Sequence, residues 1–528
     1  MKEYKPTILL VLDGWGIAPN GPANAIELAK KPNFDKLWND FPHTELCASN
    51  SCVGLPNNHP GNSEAGHMNI GAGRVVFQDS VIINRAIADK SFTKNMSLRY
   101  ALDHVKANDS HLHLMGLISD GDSPHVSTGH LLALVELAKN NKVKKVYLHL
   151  FTDGRDSPQR SATRIITDIM KKIDAISGKE MIVEISSIMG RFYAMDRGKN
   201  WDRTRDAYNC LIDGKTNIYK TYQEAIEHSY NEDCTDEYIE PAIIADSENK
   251  VAERRIKDND SIIFFNLRSD RARQLTKAFV QDDFNKKNPG SFKRSSVVKN
   301  LVFVALTYFG PDLSENIVTA FPGADMIATL PFVMNSYNQL YISETEKFAH
   351  VTYFINGGYP ESIYGEKRVM IPSPKVLNYK EKPAMAVYEI TDYVLAELDK
   401  KEREFIVINF ANPDMLGHTG DLKATVKAIE HVDVCLGKLS KKILELDGTM
   451  IVTADHGNAE KMIYPETGEI CSEHTTNPVP FILVNKDTKI KFAEKGRLGD
   501  IAPTLYDYMN INLSDKVTGN SLIIKNEK

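Results

Sequence analysis

Phe405-Ile406-Val407-Ile408-Asn409-Phe410-Ala411-Asn412-Pro413-Asp414-Met415-Leu416-Gly417-His418 joins two kinds of element in fourteen residues. The first six are nearly all apolar, β-branched or aromatic, as in a strand covered on both faces, the condition of a parallel sheet. Asn412 reads as a helix N-cap and Pro413 as the first helical residue. One turn then separates Asp414 from His418, which puts both on the same helix face.

The same grammar recurs along the chain. Thr7–Leu12 ends at Asp13, Leu112–Ile118 at Ser119-Asp120, and Val146–Phe151 at Thr152-Asp153. Ser261–Phe265 ends at Asn266, Leu301–Thr307 follows, and Met450–Thr453 stops just before Asp455. Amphipathic stretches such as Leu131–Asn140, Ala162–Ile173 and Leu422–Leu446 lie between them as helices. Strand and helix in alternation mean an α/β fold, with ligands expected beyond the carboxyl ends of the strands.

At 528 residues the chain exceeds one core, since single cores stop growing near about 250–300 residues. Two α/β domains are expected. Candidate ligands at both chain ends must meet in space, so one domain is assigned to residues 1–79 with 315–528 and the other to an inserted segment, 80–314. Gly71-Ala72-Gly73 reads as a hinge, and the polar, Lys-rich stretch 281–300 as a linker. The acidic stretch Glu232–Asp260 reads as a solvated surface or an elaborated loop.

Composition narrows the function classes. Hydrophobic residues make up 42%, which excludes wholesale disorder, and the net charge of −6 excludes a general polyanion binder. No nucleic-acid partner is expected. No apolar run approaches the roughly 20 residues of a membrane span, so no membrane partner is expected either. The six cysteines, at 47, 52, 210, 234, 435 and 471, form no C-x-x-C pair and read as scattered thiols of a cytoplasmic protein.

Three strands terminate near carboxylates, Asp13, Asp414 and Asp455, and His418, His456 and His474 lie close by in sequence. Singly, such residues are more often caps and satisfied polar groups. Together at one sheet edge they would repel one another unless divalent cations intervened. Carboxylate and imidazole without thiolate suits Mn²⁺, Zn²⁺, Fe²⁺ or Co²⁺, with Mg²⁺ where oxygens dominate.

Pro60-Gly61-Asn62-Ser63-Glu64-Ala65-Gly66-His67 carries a serine at a helix start. Ser63 is either a cap or a nucleophile activated by a metal. The stretch is no α/β-hydrolase elbow, because Ala65 stands where the second glycine belongs. Gly71-x-Gly73 lacks the third glycine of a dinucleotide loop. The middle segment adds Arg155, Arg191, Arg197, Arg268 and Arg271, each after a predicted strand or in a loop. Arginine forks in that number predict a small, multiply anionic ligand, with Lys347 as a further cation.

Five of these stretches together carry a resemblance. They are Val11-Leu12-Asp13-Gly14-Trp15-Gly16, Gly61–His67, Thr152-Asp153-Gly154-Arg155-Asp156, Asn412–Gly420 and Thr453-Ala454-Asp455-His456-Gly457-Asn458. In this order they resemble cofactor-independent phosphoglycerate mutase, of the alkaline phosphatase superfamily, nearly end to end. The resemblance implies a phosphatase-like domain built from both chain ends and an inserted transferase domain. It implies one metal on Asp414, His418 and His474 and another on Asp13, Ser63, Asp455 and His456, with Mn²⁺ foremost and Mg²⁺, Co²⁺ or Zn²⁺ as alternatives.

Ser63 becomes the phosphoserine and Asp156 the acid/base. The substrate is a phosphoglycerate, held by His125, Arg155, Asp156, Arg191, Arg197, Arg268, Arg271 and Lys347. No 2,3-bisphosphoglycerate is required, and the chain is expected to act as a monomer. Two departures from the family pattern stand out. Ala65 replaces a valine, a packing change. In Ser119-Asp120-Gly121-Asp122-Ser123-Pro124-His125-Val126-Ser127 only His125 matches a two-histidine motif. The alternatives carried are a phosphopentomutase or phosphatase of the same superfamily, and an inactive anion-binding protein.

Overall fold

The computed structural model describes residues 4–121, 123–323, 326–464 and 467–525; Asp122 of the His125 segment lies outside them. The described residues of 1–78 and 324–528 form one compact unit, and 79–323 form another. Among the described residues each unit is built on one eight-stranded sheet.

In the first unit the strand order is Lys367–Ile371, Gln339–Glu344, Phe405–Phe410, Thr7–Leu12, Thr449–Thr453, Val479–Val484, His43–Cys47, Lys495–Arg497. The first five run parallel and Val479–Val484 runs against them. Every residue of Thr7–Leu12 and of Phe405–Phe410 is buried, as their apolar runs require. Each such side chain contributes about 1.5–3 kcal/mol when fully covered. The cover includes the 24-residue helix Leu422–Glu445, whose Ile429, Val432, Leu436, Leu439 and Ile443 face the core at helical spacing. Leu12 pairs with Phe410 and Val11 with Thr453, so three strands release Asp13, Asp414 and Asp455 at one edge.

In the second unit the order is Val318–Phe321, Val302–Thr307, Ser261–Phe264, Leu112–Leu117, Lys145–Thr152, Ile182–Gly190, Ala242–Ile244, Asn217–Tyr219. The first six are parallel. Leu117 pairs with Phe151 and Thr152 with Gly190, which brings the loops after three strands to one edge.

The structure departs from the sequence reading at several places. Gly71-Ala72-Gly73 is no hinge, since Gly71 and Ala72 lie buried in helix Ser63–Ala72 of the first unit. Residues 79 and 315–323 read as part of the end-built domain, but Asp79 opens helix Asp79–Ala88 of the inserted unit, and Val318–Phe321 pairs with Val302–Thr307 in the same unit. The stretch 281–300 is no linker: Phe284 is buried within that unit, and Arg294 donates to the carbonyls of Ala278 and Gln281. Within Glu232–Asp260, Asp236 and Asp260 are each only 1% exposed. Asp236 accepts from the amides of Ser161 and Ala162 at the start of helix Ala162–Ser177, and Asp260 sits 3.1 Å from His113 Nε2. Cys47 and Cys52, read as thiols, form a disulfide. The strand end and the turn Asn50–Val53 bring their Cα atoms to 6.0 Å, within bridging reach. The cysteines therefore no longer argue for a reducing compartment. Lastly, Asn412 is no cap; it lies inside helix Asn412–Gly417 and donates to the Pro383 and Ala384 carbonyls.

No helix among the described residues is long and apolar enough to cross a membrane.

Candidate active site

Asn62, not Ser63, caps the helix Ser63–Ala72, its side chain accepting from the Ala65 amide. Ser63 thus begins the helix with its hydroxyl free for other partners. Its Oγ lies 2.9 Å from His456 Nε2, 3.3 Å from Asp13 Oδ1 and 2.6 Å from Lys347 Nζ. Gly66 makes this possible: a Cβ there would stand 2.6 Å from the Asp455 carbonyl oxygen, so a larger residue would push the helix off the strand end.

Asp414, His418 and His474 form one cluster. Both imidazole Nε2 atoms approach Asp414 Oδ1, at 3.2 and 3.1 Å, and each other at 3.0 Å. His418 Nδ1 donates to the Ser472 carbonyl and His474 Nδ1 to the Gly61 carbonyl, each at 2.8 Å. Those bonds fix the tautomers, so in neutral rings both Nε2 atoms aim lone pairs at the same point as a carboxylate oxygen. Metal ligands on bonds of about 2.0–2.1 Å stand about 3.0–3.4 Å apart, and these three atoms match that spacing. Asp13, Asp455 and His456 form the second cluster, fully buried. Asp455 Oδ2 is enclosed with no hydrogen donor, because the nearby His67 Nδ1 spends its proton on the Ser63 carbonyl. An orphaned buried carboxylate oxygen and converging lone pairs both fit divalent cations.

Lys347 stands between the clusters. It is 4% exposed and donates to Asp13 Oδ1 at 2.7 Å and to Asp414 Oδ2 at 2.6 Å. Burial pushes both carboxyls up, yet Lys347 above all holds each well below the usual range. A cavity of about 330 Å³ opens here, lined by Asn62, Ser63, Lys347, His350, Asp414 and His474 among others.

Some contributors escaped the sequence reading. Asn409 Nδ2 donates to Asp13 Oδ2 at 2.7 Å and lies 3.1 Å from His67 Nε2. Asn458 Nδ2 donates to Asp414 Oδ1 at 2.8 Å, and Glu460 accepts from the amides of Gly16 and Asn458. The signal was present at Asn409, a lone amide in an apolar strand.

Protons and cations would compete for this site. Burial pushes the His456 imidazole down, but Asp455, Asp13 and Asp414 raise it to about 9. A cation held by His456 would take its Nε2 lone pair, so binding near neutral pH would expel a proton. Affinity for Mn²⁺ should therefore rise about tenfold per pH unit, or more steeply, between about pH 6.5 and 8. Calorimetric titration in buffers of different ionisation heat measures the proton released. A pH-independent affinity would mean that His456 is already neutral.

The inserted unit holds a separate cationic set. Arg191 is buried and donates to Asp153 at 2.5 Å and to Asp156 at 2.8 Å, with His125 Nε2 3.1 Å from its other nitrogen. Ser123 Oγ also donates to Asp156. Burial raises the Asp156 carboxyl, but Arg191 brings it below its ordinary value, so it is a carboxylate. Burial, Arg191 and Arg268 lower His125 to about 4. Arg197 and Arg268 both pair with Asp270. Burial and the charges of Arg191, Arg197 and Arg155 lower Arg271, which places these guanidiniums in one field.

Known proteins resemble the whole chain. The profile of the Metalloenzyme superfamily matches residues 5–513. The 2,3-bisphosphoglycerate-independent phosphoglycerate mutase of Clostridium acetobutylicum is 46% identical over 520 residues, covering 98% of this chain and 99% of that one. That of Clostridioides difficile is 46% identical over 524 residues, 99% of each. A phosphoglycerate mutase from Leishmania mexicana, crystallised at low cobalt concentration, aligns with a TM-score of 0.67 at 29% identity, over 99% of this chain and 98% of that one. With the profile match and 46% identity over nearly the whole chain in agreement, the chain belongs to the 2,3-bisphosphoglycerate-independent phosphoglycerate mutases of the metalloenzyme superfamily.

Proposed function

We propose that the chain interconverts 3-phosphoglycerate and 2-phosphoglycerate through a phosphoserine at Ser63, as a cytoplasmic monomer. The observation that carries this reading is the Ser63 hydroxyl, free of capping duty and held among His456, Asp13 and Lys347. Asp414, His418 and His474 would hold one divalent ion, and Asp13, Ser63, Asp455 and His456 the other, with Mn²⁺ as the proposed metal. When bound, the ions lower the pKa of the serine hydroxyl and neutralise phosphoryl charge.

The chain's own groups do the rest. Ser63 Oγ donates toward Asp13 Oδ1, which gives its proton a carboxylate to move to. Lys347 donates to the same oxygen and stabilises negative charge on it. Ser63 Oγ then bonds to phosphorus as the substrate's P–O bond breaks. Arg155, Arg191, Arg197, Arg268, Arg271 and His125 hold the glycerate and its anionic groups. Asp156, kept ionised by Arg191, takes the proton from the hydroxyl that will recover the phosphoryl group and passes it to the oxygen that has lost phosphorus. Ser63 regains its own proton from Asp13 as the phosphoserine bond breaks. Cytoplasmic location now rests on the substrate class alone.

The test is a mutase assay without added 2,3-bisphosphoglycerate, before and after chelation and Mn²⁺ restoration. Peptide mass spectrometry follows after brief exposure to substrate. Expected are metal-dependent interconversion and one phosphoryl group on the Ser63 peptide. Activity that persists after full chelation, or phosphate release without isomerisation, would overturn the reading.

A further inference from the structure

Lys347 is followed within one turn by His350, which opens a π-helical turn, His350–Phe354. Such turns are rare and concentrate at functional sites, where the extra residue redirects a side chain. This one is pressed against the helix that begins at Ser63: a Cβ at Gly71 would stand 1.9 Å from the Ile355 carbonyl oxygen. The His350 ring stacks on Phe354, with centroids 5.3 Å apart, and meets His67 at 5.5 Å. It lines the same cavity as Ser63, Lys347 and Asn62.

The two ring nitrogens differ. Nδ1 is enclosed and has no hydrogen-bond partner. A buried N–H without an acceptor is rarer than an under-satisfied acceptor, so Nδ1 is the unprotonated nitrogen. The proton then sits on Nε2, which is not enclosed and makes no bond of its own in the described residues. Burial, His67 and Lys347 lower the imidazole to about 4, which agrees with a neutral ring carrying one N–H. The cavity that Ser63 lines thus also carries a fixed neutral donor with no acceptor among the described residues.

We propose that His350 is a further catalytic residue of this reaction, its Nε2–H donating a hydrogen bond to an oxygen of the phosphoryl group transferred to Ser63. A neutral donor suits this position. Lys347 already supplies positive charge there, and a second cation would repel it. The inference rests on the phosphoserine reading above.

Glutamine and asparagine separate the two nitrogens, because a Gln amide nitrogen reaches the place of Nε2 and an Asn amide nitrogen that of Nδ1. His350→Gln, His350→Asn and His350→Phe, each loaded with Mn²⁺, are compared with the wild type for binding of inorganic phosphate by calorimetry, and for kcat and KM. His350→Phe and His350→Asn should bind phosphate about 10–100-fold more weakly and lose kcat with little change in KM. His350→Gln should stay within about threefold of the wild type, the usual tolerance when a donor is kept in place. Metal stoichiometry and unfolding midpoints control for the fold; if the Phe variant does not fold, the Gln and Asn pair decides.

Equal phosphate binding in all variants overturns the proposal, as does rescue by Asn but not by Gln. A wild type that forms no phosphoserine removes the functional reading instead, and leaves the phosphate-binding comparison as the measure of His350.

Discussion

Ser63→Ala is expected to lower phosphoglycerate interconversion by about 10⁴–10⁶-fold, the range seen when a nucleophile acting in concert with its neighbours is deleted. The substitution removes one oxygen and little else. Asn62 supplies the cap, and alanine is at least as good a helix former as serine, so the helix Ser63–Ala72 should persist. Asp13, Asp455 and His456 would remain as the three other ligands proposed for the second metal. Lys347 keeps two of its three partners, Asp13 and Asp414.

The variant should therefore retain its unfolding midpoint and bind Mn²⁺, more weakly at the second cluster, while its peptide map shows no phosphoserine. Ser63→Thr keeps the hydroxyl but adds a methyl group at a position that is 6% exposed, and should fall between. The measurement is steady-state interconversion with the mass-spectrometric phosphoserine assay run alongside. Activity within tenfold of the wild type in Ser63→Ala would show that another group accepts the phosphoryl.

What made the serine and the carboxylates readable is that their signals are local. A parallel strand buried on both faces is an uninterrupted apolar run, and a charge directly after it stands at the sheet edge; Asp13 and Asp455 needed nothing more. Asp414 and His418 needed only helical periodicity. What escaped depends on partners distant in sequence. Asp236 and Asp260 look like the solvated acids around them until helix Ala162–Ser177 and His113 are packed against them. The short strand Val318–Phe321 is partly exposed and lacks a decisive apolar run, so only its pairing with Val302–Thr307 assigns it to the inserted unit. Cys47 and Cys52 carry no motif spacing, and a turn brings them together. No composition rule flags a π-helical turn, so His350 was silent beside the conspicuous Lys347.

Lys347→Met should separate the structural use of this cation from its chemical one. In the metal-free protein, Lys347 is the ammonium that compensates the buried Asp13 and Asp414, and burial alone would push its own pKa down, whereas these carboxylates push it well up. Methionine fills similar volume but leaves the two carboxylates, and the orphaned oxygen of Asp455, without that charge. Breaking a buried ion pair from one side costs about 3–5 kcal/mol, so the metal-free variant should unfold at markedly lower urea.

The sign with pH follows from the carboxyls. In the wild type they are held below their unfolded values, and that stability is present above about pH 4 and lost as pH falls through the lower folded values. In the variant the largest lowering influence is lost and the imidazoles are left to oppose burial and mutual repulsion, so both folded values should rise. The penalty then appears above about pH 4, and the gap to the wild type is widest near pH 7–8. Divalent ions supply the missing charge, so saturating Mn²⁺ should shrink the deficit to about 1 kcal/mol while catalysis stays low, because no ion donates a hydrogen bond to Ser63 as the ammonium does. Urea unfolding with chelator and with Mn²⁺, read at the transition that shifts with metal, measures both. An equal deficit under the two conditions would mean that Lys347 stabilises by packing, and that charge compensation at this centre falls to other groups.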